Sequence, residues 1–178
     1  MKILQLILIM GLALNTSCDK DDDHTPIEKL PPATETGAQT FGCLINGEAF
    51  VPPKLGRNSP RAFYQFVRGA YTFNFSGSTG GGEELKTVIV GGIDISGINE
   101  GDYILTEEES GKFYGEYLKG GGLDLSSATT SENPGTLRIT RFDTEKFIIS
   151  GAFSFTVKDE NGNNIEITEG RFDLNYTN

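Results

Sequence analysis

The stretch Lys146-Phe-Ile-Ile-Ser-Gly-Ala-Phe-Ser-Phe-Thr-Val157 decides the fold class of this chain. Its strongly apolar residues recur at every second position and alternate with a second, mostly polar or small set. Successive side chains of a β-strand point to opposite faces, so this period of two predicts one long strand with one apolar face. That face consists of Phe147, Ile149, Gly151, Phe153, Phe155 and Val157.

Two other segments show the same alternation. Leu137 and Ile139 alternate with polar residues ahead of the long strand, and the run from Phe172 to Tyr176 does so after it. The shared period indicates that these segments are strands that bury their apolar faces together. We therefore expect nine side chains to point inward: Leu137, Ile139, Phe147, Ile149, Phe153, Phe155, Phe172, Leu174 and Tyr176.

Asn-Gly pairs mark the tightest turns. Asn46-Gly47 and Asn161-Gly162 each separate two segments with strand character. Both central residues of a two-residue hairpin turn need positive φ, which Asn and Gly adopt readily, so each pair predicts a hairpin. The run from Leu85 to Ile95 is apolar on both faces and predicts a central strand, in which Gly91-Gly92 indicates a bulge or bend.

These patterns place the chain in the all-β class. We find no long stretch with the 3.6-residue period of an amphipathic helix. The candidate strands number roughly nine to eleven, which is typical of sandwiches and barrels. We predict a single β-domain over residues 37–178, built as an antiparallel β-sandwich or a partly open barrel.

Composition argues against several function classes. The 178 residues include 25 acidic and 15 basic side chains, a formal net charge of −10. Nucleic-acid binding needs clustered Lys and Arg, so no nucleic-acid partner is expected. The one histidine, His24, precedes the domain, which argues against His-dependent catalysis and His-based metal sites there. We predict no enzymatic activity, no cofactor and no metal ion.

The N-terminus has the pattern of a targeting segment. Lys2 supplies a positive charge, and an apolar run extends from Ile3 to Leu14. This run is too short to cross a bilayer as a helix, which takes about 20 residues. Residues 1–17 are therefore predicted to be a signal peptide. Leu14-Asn-Thr-Ser-Cys18 resembles a bacterial lipoprotein box, which implies lipidation of Cys18. The alternative is an ordinary cleaved signal in which Cys18 is incidental.

An acidic run follows Cys18. Lys20, Asp21, Asp22 and Asp23 resemble the surface-export signal of Bacteroidota lipoproteins. This resemblance implies a protein held in the outer membrane by its lipid and displayed at the cell surface. The alternative is a solvated acidic spacer. The composition of residues 18–36, acidic and then rich in Pro and Thr, predicts a disordered tether.

Five stretches of the domain carry a resemblance to a known family. They are Thr40-Phe-Gly-Cys-Leu-Ile-Asn-Gly-Glu-Ala-Phe-Val51, Gly101-Asp-Tyr-Ile-Leu105, Gly135-Thr-Leu-Arg-Ile-Thr-Arg-Phe-Asp143, Ile149-Ser-Gly-Ala-Phe-Ser-Phe155 and Thr168-Glu-Gly-Arg-Phe-Asp173. Together they resemble a group of Bacteroidota lipoprotein domains of unknown function, DUF6252. The resemblance covers about residues 37–178 and implies an exported β-domain without known catalytic residues.

Aromatic residues are the main candidates for a ligand site. Phe63-Tyr-Gln-Phe-Val67 is apolar on both faces, and Tyr114 and Tyr117 fall on opposite faces of one predicted strand. If one face is open, Tyr64, Phe66 and Tyr114 form a platform on which a ligand can stack. The alternative is that a second sheet or a loop covers them.

Three further features have plainer explanations than the chemistry they suggest. Asp159 to Asn164 superficially resembles a calcium loop, but its Gly is misplaced, so a hairpin turn is favoured. The acidic patch formed by Asp94, Glu100, Asp102 and Glu107–Glu109 is interpreted as a solvated loop, with calcium binding as the alternative. Cys43 lies in an apolar run and is expected to be a buried, unreactive thiol.

These observations favour a lipid-anchored, non-enzymatic binding or accessory module of the cell envelope. A purely structural envelope protein is the alternative, and a glycan-active hydrolase that uses paired carboxylates is a third. We expect the partner to be another envelope protein or a glycan. Loops at one end of the sheet or an open aromatic face would contact it.

Overall fold

The computed structural model describes residues 24–120 and 126–178, which form eleven β-strands and one 3-10 turn, Gly82–Glu84. This confirms the predicted all-β class and strand number. The strands are β1 (Thr40–Ile45), β2 (Glu48–Phe50), β3 (Arg61–Val67), β4 (Ala70–Thr79), β5 (Lys86–Ile95), β6 (Gly101–Thr106), β7 (Lys112–Lys119), β8 (Ser126–Ala128), β9 (Gly135–Asp143), β10 (Ile148–Lys158) and β11 (Asn164–Asn175).

The strands form one sheet that curls back on itself. Their order is β2-β1-β11-β10-β9-β6-β7-β5-β4-β3, and β8 pairs with β7 outside this path. A parallel bridge between Phe63 and Thr177 joins the end of β11 to β3. It is held by a 2.8 Å hydrogen bond from the Tyr64 amide to the Thr177 carbonyl and a 3.1 Å bond from the Thr177 amide to the Ala62 carbonyl. Eight strands thus approach a closed ring, in the order β11-β10-β9-β6-β7-β5-β4-β3, while β1 is attached to β11 and β2 to β1.

One pairing departs from the antiparallel arrangement predicted from the sequence. β6 and β7 run parallel, with Leu105 opposite Phe113 and Thr106 opposite Tyr114. The connection between them first meets β5, where the Gly111 amide donates to the Ile93 carbonyl over 2.7 Å. This contact sets the direction of β7, so the sheet is mixed rather than purely antiparallel.

The core lies inside the ring and is dominated by Phe rings. Phe75 stacks on Phe172 with centroids 3.9 Å apart, and Phe153 lies 5.7 Å from Phe75 and 5.4 Å from Phe41. Eight of the nine side chains predicted to point inward are buried: Leu137, Ile139, Ile149, Phe153, Phe155, Phe172, Leu174 and Tyr176. The strand alternation therefore identified the core face of β9, β10 and β11.

Phe147 is the ninth residue, and its predicted burial is wrong. Its side chain is 40% exposed. Its φ is 55°, in the left-handed region, and β10 begins only at Ile148. Phe147 therefore belongs to the turn that precedes the strand, and the alternation of β10 does not apply to it.

The predicted Asn46-Gly47 turn and the bulge in β5 are present. Asn161-Gly162 also lies in a hairpin loop, between β10 and β11, but only Gly162 has a positive φ, 81°, so the two-residue turn geometry predicted there is wrong. Asn46 and Gly47 have φ of 51° and 82°, as a tight hairpin turn requires, and they connect β1 to β2. In β5 the register with β4 shifts between Gly92 and Ile95, and Asp94 has a φ of 50°. The bulge expected at Gly91-Gly92 thus lies immediately after the glycine pair.

The end of the predicted tether is folded, which corrects the expected domain start near residue 37. We call residues 30–38 the N-terminal arm. Leu30 is 7% exposed, and the Pro31 ring covers Gly42 in β1, where an added Cβ would lie 2.6 Å from the Pro31 Cδ. The packed part of the chain therefore begins at Leu30. The predicted signal peptide, Cys18 and the export residues Lys20 to Asp23 lie outside the described residues and remain predictions.

Asp173 holds the arm against the sheet. Its carboxylate, 1% exposed, accepts hydrogen bonds from the Thr34 hydroxyl and from the Thr36, Gly37 and Ala38 amides, over 2.6–3.0 Å. The Ser150 hydroxyl donates to the same carboxylate over 2.8 Å. A buried charge surrounded by donors in this way is stabilised, because each donor replaces a water molecule lost on burial.

Within the described residues, no helix is long and apolar enough to cross a membrane.

Candidate functional site

A cleft lined by aromatic rings opens at one end of the ring of strands. It has a volume of about 370 Å³. We call it the aromatic cleft and define it by its five rings and two polar residues: Tyr64, Phe66, Tyr71, Phe147, Tyr176, Thr144 and Asn178. Its size falls within the range of ~300–1,000 Å³ typical of ligand pockets, which are also lined mainly by apolar and aromatic side chains.

Strand alternation brings two of the rings to the cleft. Ala62, Tyr64 and Phe66 share one face of β3, because side chains two positions apart point the same way. Ala62 is 7% exposed and belongs to the core, whereas Phe66 is 63% exposed. In the neighbouring strand, Tyr71 pairs with Phe66 across the β3–β4 hairpin. The face of β3 that contributes to the core at the start of the strand therefore continues into the cleft at its end.

The five rings form an arc of successive contacts. Phe66 lies 4.9 Å from Tyr71, and Tyr71 stacks on Tyr64 with centroids 4.6 Å apart and planes 2° apart. Tyr64 meets Tyr176 edge-on at 6.2 Å, and Tyr176 meets Phe147 at 5.6 Å. Such pairs contribute roughly 0.5–1.5 kcal/mol each beyond area burial, so the middle of the arc is preorganised. Phe66 and Phe147, at its two ends, are the most exposed.

The turn between β9 and β10 places Phe147. The Asp143 carboxylate accepts hydrogen bonds from the Glu145 and Lys146 amides over 3.1 and 2.8 Å and closes the turn. The next residue, Phe147, takes up a φ of 55°. Its carbonyl accepts a 2.9 Å hydrogen bond from the Tyr176 amide. A left-handed residue commonly ends a short hairpin loop, but Gly or Asn usually occupies that position. Because a Phe stands there, the turn geometry has no signature in the sequence.

The side chains that line the aromatic cleft are uncharged at neutral pH. Burial raises the pKa of Tyr64 and outweighs a hydrogen bond from the Ile98 backbone, which lowers it. Burial and the nearby charge of Asp143 raise the pKa of Tyr176. Both hydroxyls therefore stay protonated. A side-chain hydrogen bond from Arg141, 2.6 Å long, lowers the pKa of Asp143 and compensates its charge. No Asp, Glu, Lys or Arg side chain lines the cleft.

Tyr114 does not join the other two residues predicted for the ligand platform. Tyr64 and Phe66 lie together in the cleft, whereas Tyr114 is 7% exposed and packs on β5. Its ring covers Gly91, where an added Cβ would lie 2.7 Å from the ring, and its hydroxyl interacts with the Asn74 side chain. The outer face of β7 is thus closed locally by the ring itself. The predicted platform of Tyr64, Phe66 and Tyr114 is therefore wrong in including Tyr114.

A larger depression, about 1430 Å³, lies on the outside of the sheet. We call it the outer trough; β6, β9, β10, β11 and residues 33–35 line it. Four of its five charged side chains are paired: Arg138 with Asp102 at 2.6 Å and Arg171 with Glu169 at 3.4 Å. The fifth is Glu35. The side chains of Ala152 and Ser154 in β10 are small, so the outer trough lacks the arc of contacting rings that lines the aromatic cleft.

Several of the acidic residues considered as metal ligands have other partners. Glu107 binds the Lys112 ammonium and the Ser131 amide, and hydrogen bonds from Ser131 and Lys112 lower its pKa to about 2. Asp159 accepts hydrogen bonds from the Asn161 and Asn163 amides and closes the β10–β11 hairpin, as predicted. In residues 24–120 and 126–178, no group of three or more His, Cys, Asp and Glu side chains is arranged to hold a metal ion.

Cys43 is buried in the core, as predicted. Its side chain is 0% exposed, and burial raises the pKa of the thiol far above its usual range. A thiol that does not ionise is a poor nucleophile and a poor metal ligand. Cys43 therefore packs as a small apolar side chain.

No family model matches the chain, and neither a curated protein nor a solved structure matches it significantly. The fold and the aromatic cleft define it as an all-β protein with a ring-like sheet and a cleft lined by aromatic rings at one end.

Proposed function

We propose that this protein is a non-enzymatic binding module of the cell envelope and that the aromatic cleft is its ligand site. In this proposal Cys18 carries the lipid that anchors the protein in the outer membrane, and Lys20 to Asp23 direct it to the cell surface. The resemblance to exported Bacteroidota lipoprotein domains supports the same location.

The observation that carries the proposal is the exposure of Phe66 and Phe147. They are 63% and 40% exposed, although each belongs to an arc whose other rings are packed. An exposed Phe side chain contributes little to the stability of the fold. Aromatic rings that converge around a concavity supply the apolar surface that ligand pockets use. The arrangement therefore supports binding more than a purely structural role, in which a filled end would be expected.

The acid–base groups do not favour the hydrolase alternative. Glycoside hydrolysis needs a carboxylic acid that is still protonated near neutral pH, hence with a raised pKa. Among the described carboxyl groups, each resolved shift is downward: Glu28, Asp102, Glu107, Asp143, Asp159 and Asp173. The cleft itself contains no carboxyl side chain. These facts support a site that binds without turnover.

Comparing wild type with Phe66→Ala tests the proposal. Each protein is applied to a glycan array and used for pull-down from envelope extract. We expect a ligand that wild type retains and Phe66→Ala loses. Ile104→Ala is the matched control, because Ile104 is 68% exposed but lies beside the outer trough. Retention of every ligand by Phe66→Ala would contradict the assignment of the cleft.

A further inference from the structure

We propose that a second surface, separate from the aromatic cleft, docks the domain on the anionic headgroups of the bilayer that holds the Cys18 lipid. We call it the basic face and define it by Lys54, Leu55, Arg57, Arg61 and Val67. The inference goes beyond ligand binding in the cleft, and it rests on the lipid anchor of the proposed function.

The chain separates its charges by position. Its formal net charge is −10, yet residues 49–82 contain four basic side chains and no acidic one. The four are Lys54, Arg57, Arg61 and Arg68. Among the residues that the structure describes, none of the four forms an ion pair, whereas Arg138 and Arg171 each bind a carboxylate. Their positive charges are therefore available to an anionic partner.

Strand alternation and one hydrogen bond bring these charges to the outer side of β3. Side chains two positions apart share a face, so Arg61 and Val67 lie on the face opposite the core residue Ala62. The Arg61 guanidinium donates a 3.3 Å hydrogen bond to the Arg57 carbonyl, so the preceding loop lies beside the strand. Arg57 and Arg61 are both exposed.

Apolar side chains project from the same surface. Leu55 is 87% exposed, the highest value among the large apolar side chains of the described residues, and Val67 is 47% exposed. Lys54 and Arg57 flank Leu55 in the chain. Exposed apolar side chains beside cations suit a membrane interface, where the apolar groups enter the acyl boundary and the cations contact anionic headgroups.

The loop that carries Leu55 is fixed against β4 on both sides of that residue. Pro52 is buried and covers Gly77, where an added Cβ would lie 2.6 Å from the Pro52 Cγ. The Asn58 side chain donates a 2.7 Å hydrogen bond to the Gly80 carbonyl. The exposure of Leu55 is therefore a property of the folded loop.

The shape of the basic face favours a broad partner. None of its five residues lines the aromatic cleft or the outer trough. A bilayer presents a flat, extended surface that several separate side chains can contact together. Because the remainder of the chain is acidic, an anionic bilayer would attract this face and repel the others, which would orient the domain.

The proposed anchor keeps the bilayer within reach of this face. The eleven residues 19–29 span at most about 40 Å when fully extended. The seven residues of β3 cover only about 23 Å. A tether of this length gives the bilayer a high effective concentration at the basic face, which an untethered acidic protein would lack.

A tryptophan at position 55 tests the docking. The chain contains no Trp, so lipidated Leu55→Trp carries one indole. It is incorporated into vesicles of phosphatidylcholine and phosphatidylglycerol in equal parts, with brominated acyl chains that quench indole emission on contact. We expect quenching of Leu55→Trp and none of Ile104→Trp, whose position is 68% exposed at the outer trough.

A charge reversal tests the electrostatic part. Arg57→Glu in the Leu55→Trp protein should abolish most of the quenching. Lys158→Glu, at an exposed position at the end of β10, changes the net charge equally and should leave the quenching intact. Raising the salt concentration should weaken the quenching, because it screens exposed charges.

Three results would overturn the inference: no quenching at position 55, equal quenching at positions 55 and 104, or quenching that Arg57→Glu leaves unchanged. Flotation of the vesicles checks the anchor separately. If wild type does not float with them, the anchor and the docking fail together. If it floats without quenching at position 55, the docking alone fails, and Arg57-dependent capture of an acidic envelope protein would show a different class of partner.

Discussion

The Thr34 hydroxyl donates a 2.6 Å hydrogen bond to the Asp173 carboxylate, across 139 positions of the chain. The contact joins the N-terminal arm to β11. It also means that the arm is part of the folded domain, so an anchor at Cys18 would be separated from the packed chain by residues 19–29 alone. The fully extended reach of that segment is at most ~3.3–3.6 Å per residue.

Asp173→Asn should destabilise the domain and loosen the arm. The NH₂ group of Asn would replace one carboxylate oxygen and face hydrogen-bond donors of Thr34, Thr36, Gly37 and Ala38, which would then lack an acceptor. Each buried polar group left unsatisfied costs roughly 1–3 kcal/mol. We expect a melting temperature lower by several degrees and faster proteolysis before residue 38. Asp159→Asn, in an exposed turn, is the control. Equal effects of both substitutions would contradict this role.

The same carboxylate makes part of the stability depend on pH. Burial alone would raise the pKa of Asp173, but hydrogen bonds from Thr34, Ala38, Thr36 and Ser150 outweigh it and hold the pKa far below its usual range. A depressed pKa adds stability that is complete above the unfolded value of about 3.9 and is lost as pH falls towards the folded value. The difference in melting temperature between wild type and Asp173→Asn should therefore be constant from pH 5 to 8 and shrink below about pH 4. A difference that grows on acidification would refute the sign.

Two Phe→Ala substitutions in adjacent parts of the chain should differ strongly. Phe153 is 3% exposed and contacts the rings of Phe41, Phe75 and Phe172, so its truncation should cost about 3–5 kcal/mol. Phe147 is 40% exposed and contacts Tyr176, so its truncation should cost about 1 kcal/mol or less. Urea unfolding of both variants measures the difference. Similar costs would show that the core face of β10 is assigned incorrectly.

Cys18→Ala should release the protein from the membrane. The prediction follows from the sequence pattern around Cys18, because stable anchoring requires the acyl chains on that residue. Fractionation should move the variant from the membrane to the soluble fraction, and protease treatment of intact cells should remove wild type. If the variant still sediments with membranes, the anchor has been assigned wrongly.

Sequence patterns identified the parts of the fold that depend on local side-chain periodicity. The alternation of β10 follows from burial on one face, and the Asn46-Gly47 turn follows from the φ values that Asn and Gly tolerate. The parallel pairing of β6 with β7 could not be derived in this way, because it depends on where the intervening connection meets β5.

The candidate site was only partly accessible to sequence reasoning. Tyr64 and Phe66 were predicted to be ligand-site residues because the segment that forms β3 is apolar on both faces. The sequence of an apolar face does not reveal whether other parts of the chain cover it. For this reason Tyr114, which is buried, was wrongly included in the site. Phe147 was assigned to the core because its positive φ has no sequence signature. The alternation of β11 places Asp173 on the face opposite Phe172 and Leu174, but the arm that buries it is brought there by long-range contacts.

A single-tryptophan reporter distinguishes binding in the aromatic cleft from binding elsewhere on the protein. The chain contains no Trp, so Phe66→Trp and Ile104→Trp each carry one indole, in the cleft and at the outer trough respectively. Both are titrated with the glycan that wild type binds most strongly on the array. If the aromatic cleft is the binding site, we expect a saturable change in emission from Trp at position 66 and none from position 104. A response from position 104 alone, or an equal response from both, would contradict it.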